Sequence, residues 1–138
     1  MRDSCVFKYR GPPFTGASTV EGAAAELSRY AGTVVVKLGR EGALTRAGEQ
    51  VWKAPSFEVE VMDTTGAGDA FNAGFMYAHI VEGRLIPDAL HFANACGAIA
   101  VTTIGGPTAP PSAGEVDAFI KERSDLSLNE EAKSCSSY

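Results

Sequence analysis

The sequence contains few cysteines and no long apolar run. Its 138 residues include three cysteines, whose wide separation fits neither a metal site nor the disulfide frame of a small secreted domain. We expect reduced thiols, with Cys96 as a small core residue. No stretch approaches the roughly 20 apolar residues that cross a bilayer, and residues 1–11 lack the apolar segment of a secretion signal. These absences predict a cytoplasmic protein with no membrane partner.

Positive charge is also scarce. The chain has 12 basic and 17 acidic residues, which gives a formal net charge of −5. Because nucleic acids and membrane surfaces carry dense negative charge, neither is an expected partner. An anion bound by this chain must therefore be held by a local group of donors. The apolar content of 45% is enough to fill the core of one domain.

The first half of the chain alternates helical and extended patterns, which is typical of an α/β fold. Ser18 and Glu21 have the spacing of a capping box and predict a helix from about Thr19 to Tyr30. The apolar run from Thr33 to Lys37 predicts a strand buried on both faces. Three short antiparallel strands are predicted over residues 43–46, 49–54 and 57–62.

The second half is predicted to be mainly helical. One helix should follow the glycine-rich stretch at residues 62–71 and end near Gly83. Another should run from about Asp88 to Val101, with Pro87 at its first turn. We expect these two helices to pack as a hairpin.

The end of the chain is predicted to hold one more helix. Ser112 and Glu115 form a capping box for a helix that reaches about Lys121. The segment from residue 122 to residue 138 has few large apolar residues, and we expect it to be a disordered tail.

A glycine-rich stretch, "MDTTGAGDAF" from Met62 to Phe71, separates the extended and helical patterns. The first turn of a helix leaves backbone N–H groups without partners, and small residues let a phosphate approach them. Asp69 would then be a base that takes a proton from an attacking hydroxyl group. The alternative is that Gly66 and Gly68 only form a turn and Asp69 only caps the helix.

Three segments resemble those of a known family. "DTTGAGDAF" resembles the second signature, D-T-x-G-A-G-D-x-F, of the ribokinase-like or PfkB-type carbohydrate kinases. "VVVKLGREGAL" resembles the strand and turn of that family's nucleotide pocket, and "FANACGAIAVTTIGG" resembles its adenine-side helix and loop. The resemblance implies part of a ribokinase-like three-layer α/β/α sheet with a small antiparallel section. It assigns residues 14–121 to the C-terminal part of the kinase domain.

The resemblance also implies roles for the residues of the glycine-rich stretch. Asp69 would be the catalytic base. Backbone N–H groups around Gly66, Ala67 and Gly68 would form an anion hole for the γ-phosphoryl group of ATP.

Four further residues match positions at the family's ATP site. Lys37, Gly39 and Gly42 would line that site, and Asn94 would contact adenine. As alternatives, Lys37 is a strand-end lysine that keeps its ammonium in water, and the two glycines form a hairpin turn. Asn94 has the alternative of a hydrogen bond from helix to loop.

A monovalent cation, K⁺, is implied beside the anion hole. The matching positions are Asp63 and the carbonyl groups of Thr65, Val101, Ile104 and Gly106. The alternative is that Asp63 caps a turn and that the glycine pair at residues 105–106 reverses the chain.

The resemblance stops before "FTG" at residues 14–16. Where the family has N-x-x-E, whose glutamate helps to organise Mg²⁺, this chain reads "FKYR", so Arg10 reverses the charge at that position. The family's sugar-binding glycine pair and lid strands have no counterpart. We therefore interpret residues 1–13 as a divergent leader on a truncated kinase that expresses poorly alone.

The predicted function is ATP-dependent phosphoryl transfer to a hydroxyl group of a sugar or related polyol, with ATP, Mg²⁺ and K⁺ as cofactors. Two alternatives are a non-catalytic nucleotide-binding fragment and an inactive piece that needs an N-terminal partner. A second copy of the chain, in a homo-oligomer, is a further candidate partner.

Overall fold

A computed structural model describes residues 4–8, 16–106 and 108–135, with the backbone alone for residues 4–8 and 127–135. Four strands form one sheet in the order β1-β2-β3-β4. They are β1 (Ser4–Lys8), β2 (Thr33–Lys37), β3 (Ala43–Ala47) and β4 (Gln50–Ala54). β1 runs parallel to β2, with Ser4 opposite Thr33, whereas β2, β3 and β4 are antiparallel to their neighbours. The sheet therefore combines a parallel pair with the predicted antiparallel section.

The strand β2 is buried on both faces, as its apolar run predicts. Val34 and Val36 pack with helix α1 (Val20–Leu27) on one side of the sheet. Val35 packs on the opposite side, in the core that holds the later helices. The described residues thus form three layers, α/β/α, and the predicted fold class is confirmed.

Three helices lie on the second side of the sheet. They are α2 (Ala67–Met76), which continues through a π-helical turn at Tyr77–Val81, α3 (Ile86–Val101) and α4 (Ala113–Cys135). Of these, α3 packs against β3 and β4, while α2 and α4 pack against α3. None of the described helices has both the length and the apolar content needed to cross a bilayer.

The predicted hairpin of α2 and α3 is confirmed by close packing. A Cβ atom built at Gly74 of α2 would lie 2.6 Å from the Sγ atom of Cys96 of α3. The two helices can therefore approach this closely because Gly74 has no side chain. Cys96 is buried, as predicted, and burial raises the pKa of its thiol to about 11.

The cap of α1 differs from the prediction by one residue. The Oγ1 atom of Thr19, rather than Ser18, accepts a hydrogen bond from the N–H of Gly22 at 3.0 Å. Glu21 pairs instead with Lys53 of β4 and ties the helix to the sheet. The capping box of α4 is confirmed, because Ser112 and Glu115 each accept a hydrogen bond from the other's backbone N–H.

The predicted strand over residues 57–62 is wrong. This segment is extended but joins no strand among the described residues. Its carbonyl at Glu58 accepts a hydrogen bond from the Arg123 side chain at 3.1 Å. The ring of Phe57 packs against His91 and Phe119, with centroids 4.8 and 5.2 Å apart. The alternating pattern therefore marks a half-buried extended segment that helices, not strands, hold in place.

The two ends also differ from expectation. α4 continues well beyond Lys121, so residues 122–135 are helical rather than disordered. The physical reason is that no glycine or proline follows Gly114, so nothing in residues 115–135 breaks the helix that the capping box begins. Residues 4–8 of the expected leader form β1. The rest of that leader, with Arg10, lies outside the described residues, and the predicted domain boundaries stay predictions.

Candidate active site

A cavity of about 740 Å³ lies between the end of β2, the extended segment, the start of α2 and the middle of α3. The residues that line it are Lys37, Gly39, Arg40, Gly42, Ser56, Phe57, Glu58, Val59, Val61, Thr64, Ala67, Gly68, Phe71, Asn94, Gly97, Ala98 and Val101. The structure therefore brings together all four residues predicted for the nucleotide site and four residues of the glycine-rich stretch, namely Thr64, Ala67, Gly68 and Phe71. Neither Gly66 nor Asp69 is among the lining residues.

The start of α2 provides a bare first turn. Gly66 is the N-cap residue and has a φ of 77°, a left-handed conformation that favours glycine. No side chain caps this end of the helix. The small residues Ala67 and Gly68 begin the helix at the cavity wall, where its dipole favours an anion. The N–H of Ala67 donates to the carbonyl of Thr64 at 3.3 Å, so a ligand would have to compete with that long hydrogen bond.

Asp69 is exposed in the first turn of α2. A negative charge in the first turn suits the helix dipole. The alternative in which Asp69 only caps the helix and its role as a base both stay predictions.

The turn after β2 approaches the next loop closely. Gly39 and Gly42 have φ angles of 63° and 94°, and the N–H of Gly42 donates to the carbonyl of Gly39 at 3.1 Å. A Cβ atom at Gly42 would lie 2.0 Å from the carbonyl oxygen of Ala54. The predicted turn is present and forms part of the cavity wall, whereas the role of these glycines at an ATP site stays a prediction.

Lys37 reaches from the end of β2 to the first turn of α2. Its Nζ atom donates to the Oδ1 atom of Asn72 at 2.8 Å and to the carbonyl of Gly68 at 3.3 Å. It also lies 5.9 Å from the centre of the Phe71 ring. The ammonium group is therefore held beside the glycine-rich stretch, and both its contact with a phosphate and the alternative of an ammonium kept in water stay predictions.

Asn94 joins α3 to the end of β4. Its Nδ2 atom donates to the carbonyls of Ala54 and Pro55 at 3.2 and 3.1 Å, and only 4% of the residue is exposed. The predicted hydrogen bond from helix to loop is present. Because Asn94 also lines the cavity, a structural role and a contact with a ligand are compatible.

The residues predicted to hold a cation lie in the loop before α2, at the last residue of α3 and in the loop that follows α3. Asp63 accepts hydrogen bonds from the N–H of Thr65 at 2.8 Å and from the N–H of Gly105 at 2.9 Å. Hydrogen bonds from Thr65, and then from Gly105, lower the pKa of Asp63 below its ordinary value. The carboxylate is therefore ionised at neutral pH and fastens the two loops together.

The carbonyl groups of these loops are also close to one another. The Val101 oxygen accepts hydrogen bonds from the N–H groups of Met62 and Asp63 at 2.8 and 3.1 Å. A Cβ atom at Gly106 would lie 3.0 Å from the Thr65 oxygen. The described residues contain no group of three or more His, Cys, Asp or Glu that could hold a metal ion. A cation here would depend on backbone carbonyl oxygens, and the oxygen of Val101 already accepts two hydrogen bonds, which occupy both of its lone pairs.

Sequence reasoning missed Asn72 and Phe57. Asn72 lies one helical turn after Gly68, and an asparagine between Phe71 and Ala73 inside a helix is a signal that could have indicated it. Phe57 lines the cavity from a segment that we predicted to be a strand.

Comparison with known proteins identifies the family. The sequence profile described as pfkB family carbohydrate kinase matches residues 13–113. The chain belongs to this family. An aminoimidazole riboside kinase from Salmonella typhimurium is 40% identical to this chain over 96 residues, which cover 67% of this chain and 30% of the relative. The chain thus spans about a third of the length of the curated relatives it matches.

Solved structures of pfkB-type kinases share the fold. A ribokinase from Thermotoga maritima superposes with a TM-score of 0.75 at 35% identity, covering 86% of this chain and 42% of the ribokinase. A fructokinase double mutant from Vibrio cholerae, with fructose, ADP and a potassium ion bound, superposes with a TM-score of 0.74 at 33% identity. That match covers 85% of this chain and 40% of the fructokinase.

Proposed function

We propose that this chain forms the nucleotide side of an ATP-dependent kinase that phosphorylates a hydroxyl group of a sugar or related polyol. One observation carries the proposal: a single cavity is lined by Lys37 of β2, Gly68 of α2 and Asn94 of α3, from the three segments that resemble the family. Its volume of about 740 Å³ lies within the range of small-molecule sites. Cytoplasmic location stays a prediction.

The proposed binding mode follows the chemistry of the cavity walls. The apolar side chains of Phe57, Val59 and Ala98 suit the faces of a nucleobase, and the Asn94 amide is the polar group beside them. The ammonium of Lys37 and the bare first turn of α2 suit phosphate groups. The nucleotide would lie with its base toward α3 and its phosphates toward α2.

In the proposed reaction, Asp69 takes the proton from the acceptor hydroxyl group. The hydroxyl oxygen then forms a bond to the γ-phosphorus while the bond from that phosphorus to the oxygen of the leaving ADP breaks. The N–H groups at Gly66, Ala67 and Gly68 would donate to the γ-phosphoryl oxygens as charge develops on them. General-base assistance is worth about 10² to 10⁴ in rate.

Two cations fit this proposal. K⁺ would be held by the Asp63 carboxylate and by the carbonyls of Thr65, Val101, Ile104 and Gly106. It would help to hold the loop at residues 63–66, which leads into the anion hole, in position. Mg²⁺ neutralises charge on the phosphates of ATP when bound. The residue that replaces the family's glutamate, Arg10, lies outside the described residues.

A non-catalytic nucleotide-binding role is the second candidate. One observation favours it: Asp69 is exposed and does not line the cavity. The third alternative, an inactive piece that needs an N-terminal partner, is addressed by the same experiment. The identity of the acceptor sugar and a homo-oligomeric state are left to experiment.

The test has two stages. Calorimetric titration of the 138-residue chain with ADP and ATP, with and without K⁺, measures nucleotide binding. The chain is then co-expressed with the N-terminal part of the Salmonella relative, and ADP release is measured over a panel of sugars. A kinase releases ADP only with a sugar present, and Asp69→Asn abolishes release but not ADP binding. Binding without release in any combination supports the second candidate, and no binding overturns the proposal.

A further inference from the structure

The ammonium of Lys37 is held by two acceptors on one face of α2. Gly68 and Asn72 are four residues apart and therefore neighbours on the helix surface. Lys37 Nζ donates to the Gly68 carbonyl at 3.3 Å and to Asn72 Oδ1 at 2.8 Å. A Cβ atom at Gly68 would lie 3.3 Å from the same nitrogen, so the absence of a side chain there makes room for the ammonium.

Asn72 is suited to holding a lysine without cancelling its charge. An ammonium group only donates, so the side-chain amide of Asn72 must present its oxygen to Lys37. The amide oxygen is a neutral acceptor, whereas a carboxylate at this position would form an ion pair. The half-buried position of the bond reduces competition from water.

We infer that Asn72 is a positioning residue that fixes the Lys37 ammonium beside the first turn of α2, where it attracts the phosphate groups of a nucleotide. The inference rests on the proposed function and adds to it a residue that does not line the cavity. The Lys37–Asn72 hydrogen bond links the end of β2 to α2, so it places a fixed positive charge where the two segments meet.

The experiment compares three ligands that share a base but differ in phosphates: adenosine, ADP and ATP. Asn72→Leu has a similar size and removes the acceptor. We expect it to weaken ADP and ATP binding about tenfold, the scale of a hydrogen bond to a charged group, and to leave adenosine binding nearly unchanged. Lys37→Met should give the same selective loss, and the double variant should be no weaker than Lys37→Met alone.

A charge variant separates positioning from packing. Asn72→Asp keeps an acceptor for Lys37 but adds a negative charge, so ATP binding should fall more than ADP binding, and the loss should shrink at high salt. Ala73→Asp is the matched control, because it adds the same charge at the exposed neighbouring position of α2. Ala73→Asp should change the binding of all three ligands less than Asn72→Asp changes the binding of ATP. Thermal unfolding of each variant shows that it is folded.

The outcomes distinguish the inference from the proposed function. If the unsubstituted chain binds neither ADP nor ATP, the proposed function fails and the inference fails with it. If ADP binds and Asn72→Leu leaves ADP affinity unchanged, or weakens adenosine equally, the positioning role of Asn72 is overturned while the nucleotide site stands.

Discussion

Asp63 and Gly105 join two loops that are far apart in the sequence. The Oδ2 atom of Asp63 accepts a hydrogen bond from the N–H of Gly105 at 2.9 Å, while Oδ1 accepts one from the N–H of Thr65 at 2.8 Å. One carboxylate thus connects the loop before α2 to the loop after α3. The glycine-rich stretch depends on this link for its position.

The first prediction concerns the pH dependence of that link. Because the pKa of Asp63 is lowered in the folded chain, the unfolded state binds protons more readily. The stability that Asp63 contributes is therefore present above the ordinary pKa of 3.8 and is lost as pH falls through the folded value. Asp63→Asn should lower the melting temperature at pH 7, and its difference from the unsubstituted chain should shrink on acidification. Thermal melts from pH 7 to pH 3 measure this.

Asp125→Asn is the control for that series, because it removes a carboxylate from the exposed surface of α4. Its melting temperature should stay close to that of the unsubstituted chain at every pH. A difference for Asp63→Asn that does not change with pH would contradict the ionised link.

The second prediction compares two glycines that share a left-handed backbone. Gly48 has a φ of 61° and open space around a built Cβ, so Gly48→Ala should cost about 1 kcal/mol. Gly42 has a φ of 94°, and its Cβ would lie 2.0 Å from the Ala54 oxygen. Because a steric clash is added to the strain, Gly42→Ala should cost at least about 3 kcal/mol. Urea unfolding gives both values, and equal costs would contradict the close approach.

The third prediction concerns the buried amide of Asn94. Asn94→Leu removes the donor for the Ala54 and Pro55 carbonyls and should cost about 1 to 3 kcal/mol. Asn94→Asp places a carboxyl group against those two oxygens, and burial should raise its pKa above the ordinary aspartate value. Its stability should therefore fall as pH rises through that ordinary value, whereas that of Asn94→Leu should not. The stability of both variants is measured over the same pH series. The same pH dependence for both would contradict the prediction.

The fourth prediction tests the contact between α2 and α3. Gly74→Ala brings a methyl group to 2.6 Å from the Sγ atom of Cys96 and should cost about 1 to 3 kcal/mol through overpacking. In a Cys96→Ala background the sulfur is gone, so the same substitution should cost less. Gly114→Ala, at an open position of α4, is the control and should be nearly neutral. Strict additivity of the two substitutions would show that the residues do not touch.

The elements with a strong local signal could be predicted from the sequence. The apolar run of β2, the proline at the start of α3 and the reciprocal capping pair of Ser112 and Glu115 each act over a few residues. The turn and helix start in the glycine-rich stretch could be predicted for the same reason, because consecutive small residues determine the backbone conformation there.

The errors arose where distant contacts decide the structure. The segment at residues 57–62 alternates like a strand, but Phe57 meets His91 and Phe119, which no local pattern reveals. The cap of α1 is Thr19 rather than Ser18, and Glu21 pairs with Lys53 of β4, a residue 32 positions away. The hydrogen bond between Lys37 and Asn72 joins residues 35 positions apart and could not be predicted from spacing.

The central claim is that the first turn of α2 holds the terminal phosphate of a nucleotide in the cavity beside it. A crystal structure of the chain with a non-hydrolysable ATP analogue tests this most directly. The account predicts that the terminal phosphoryl oxygens accept hydrogen bonds from the N–H groups of Ala67 and Gly68, with the Asp69 carboxylate facing that phosphorus and the base beside Asn94. A nucleotide bound elsewhere, or phosphates that point away from these N–H groups, would contradict it.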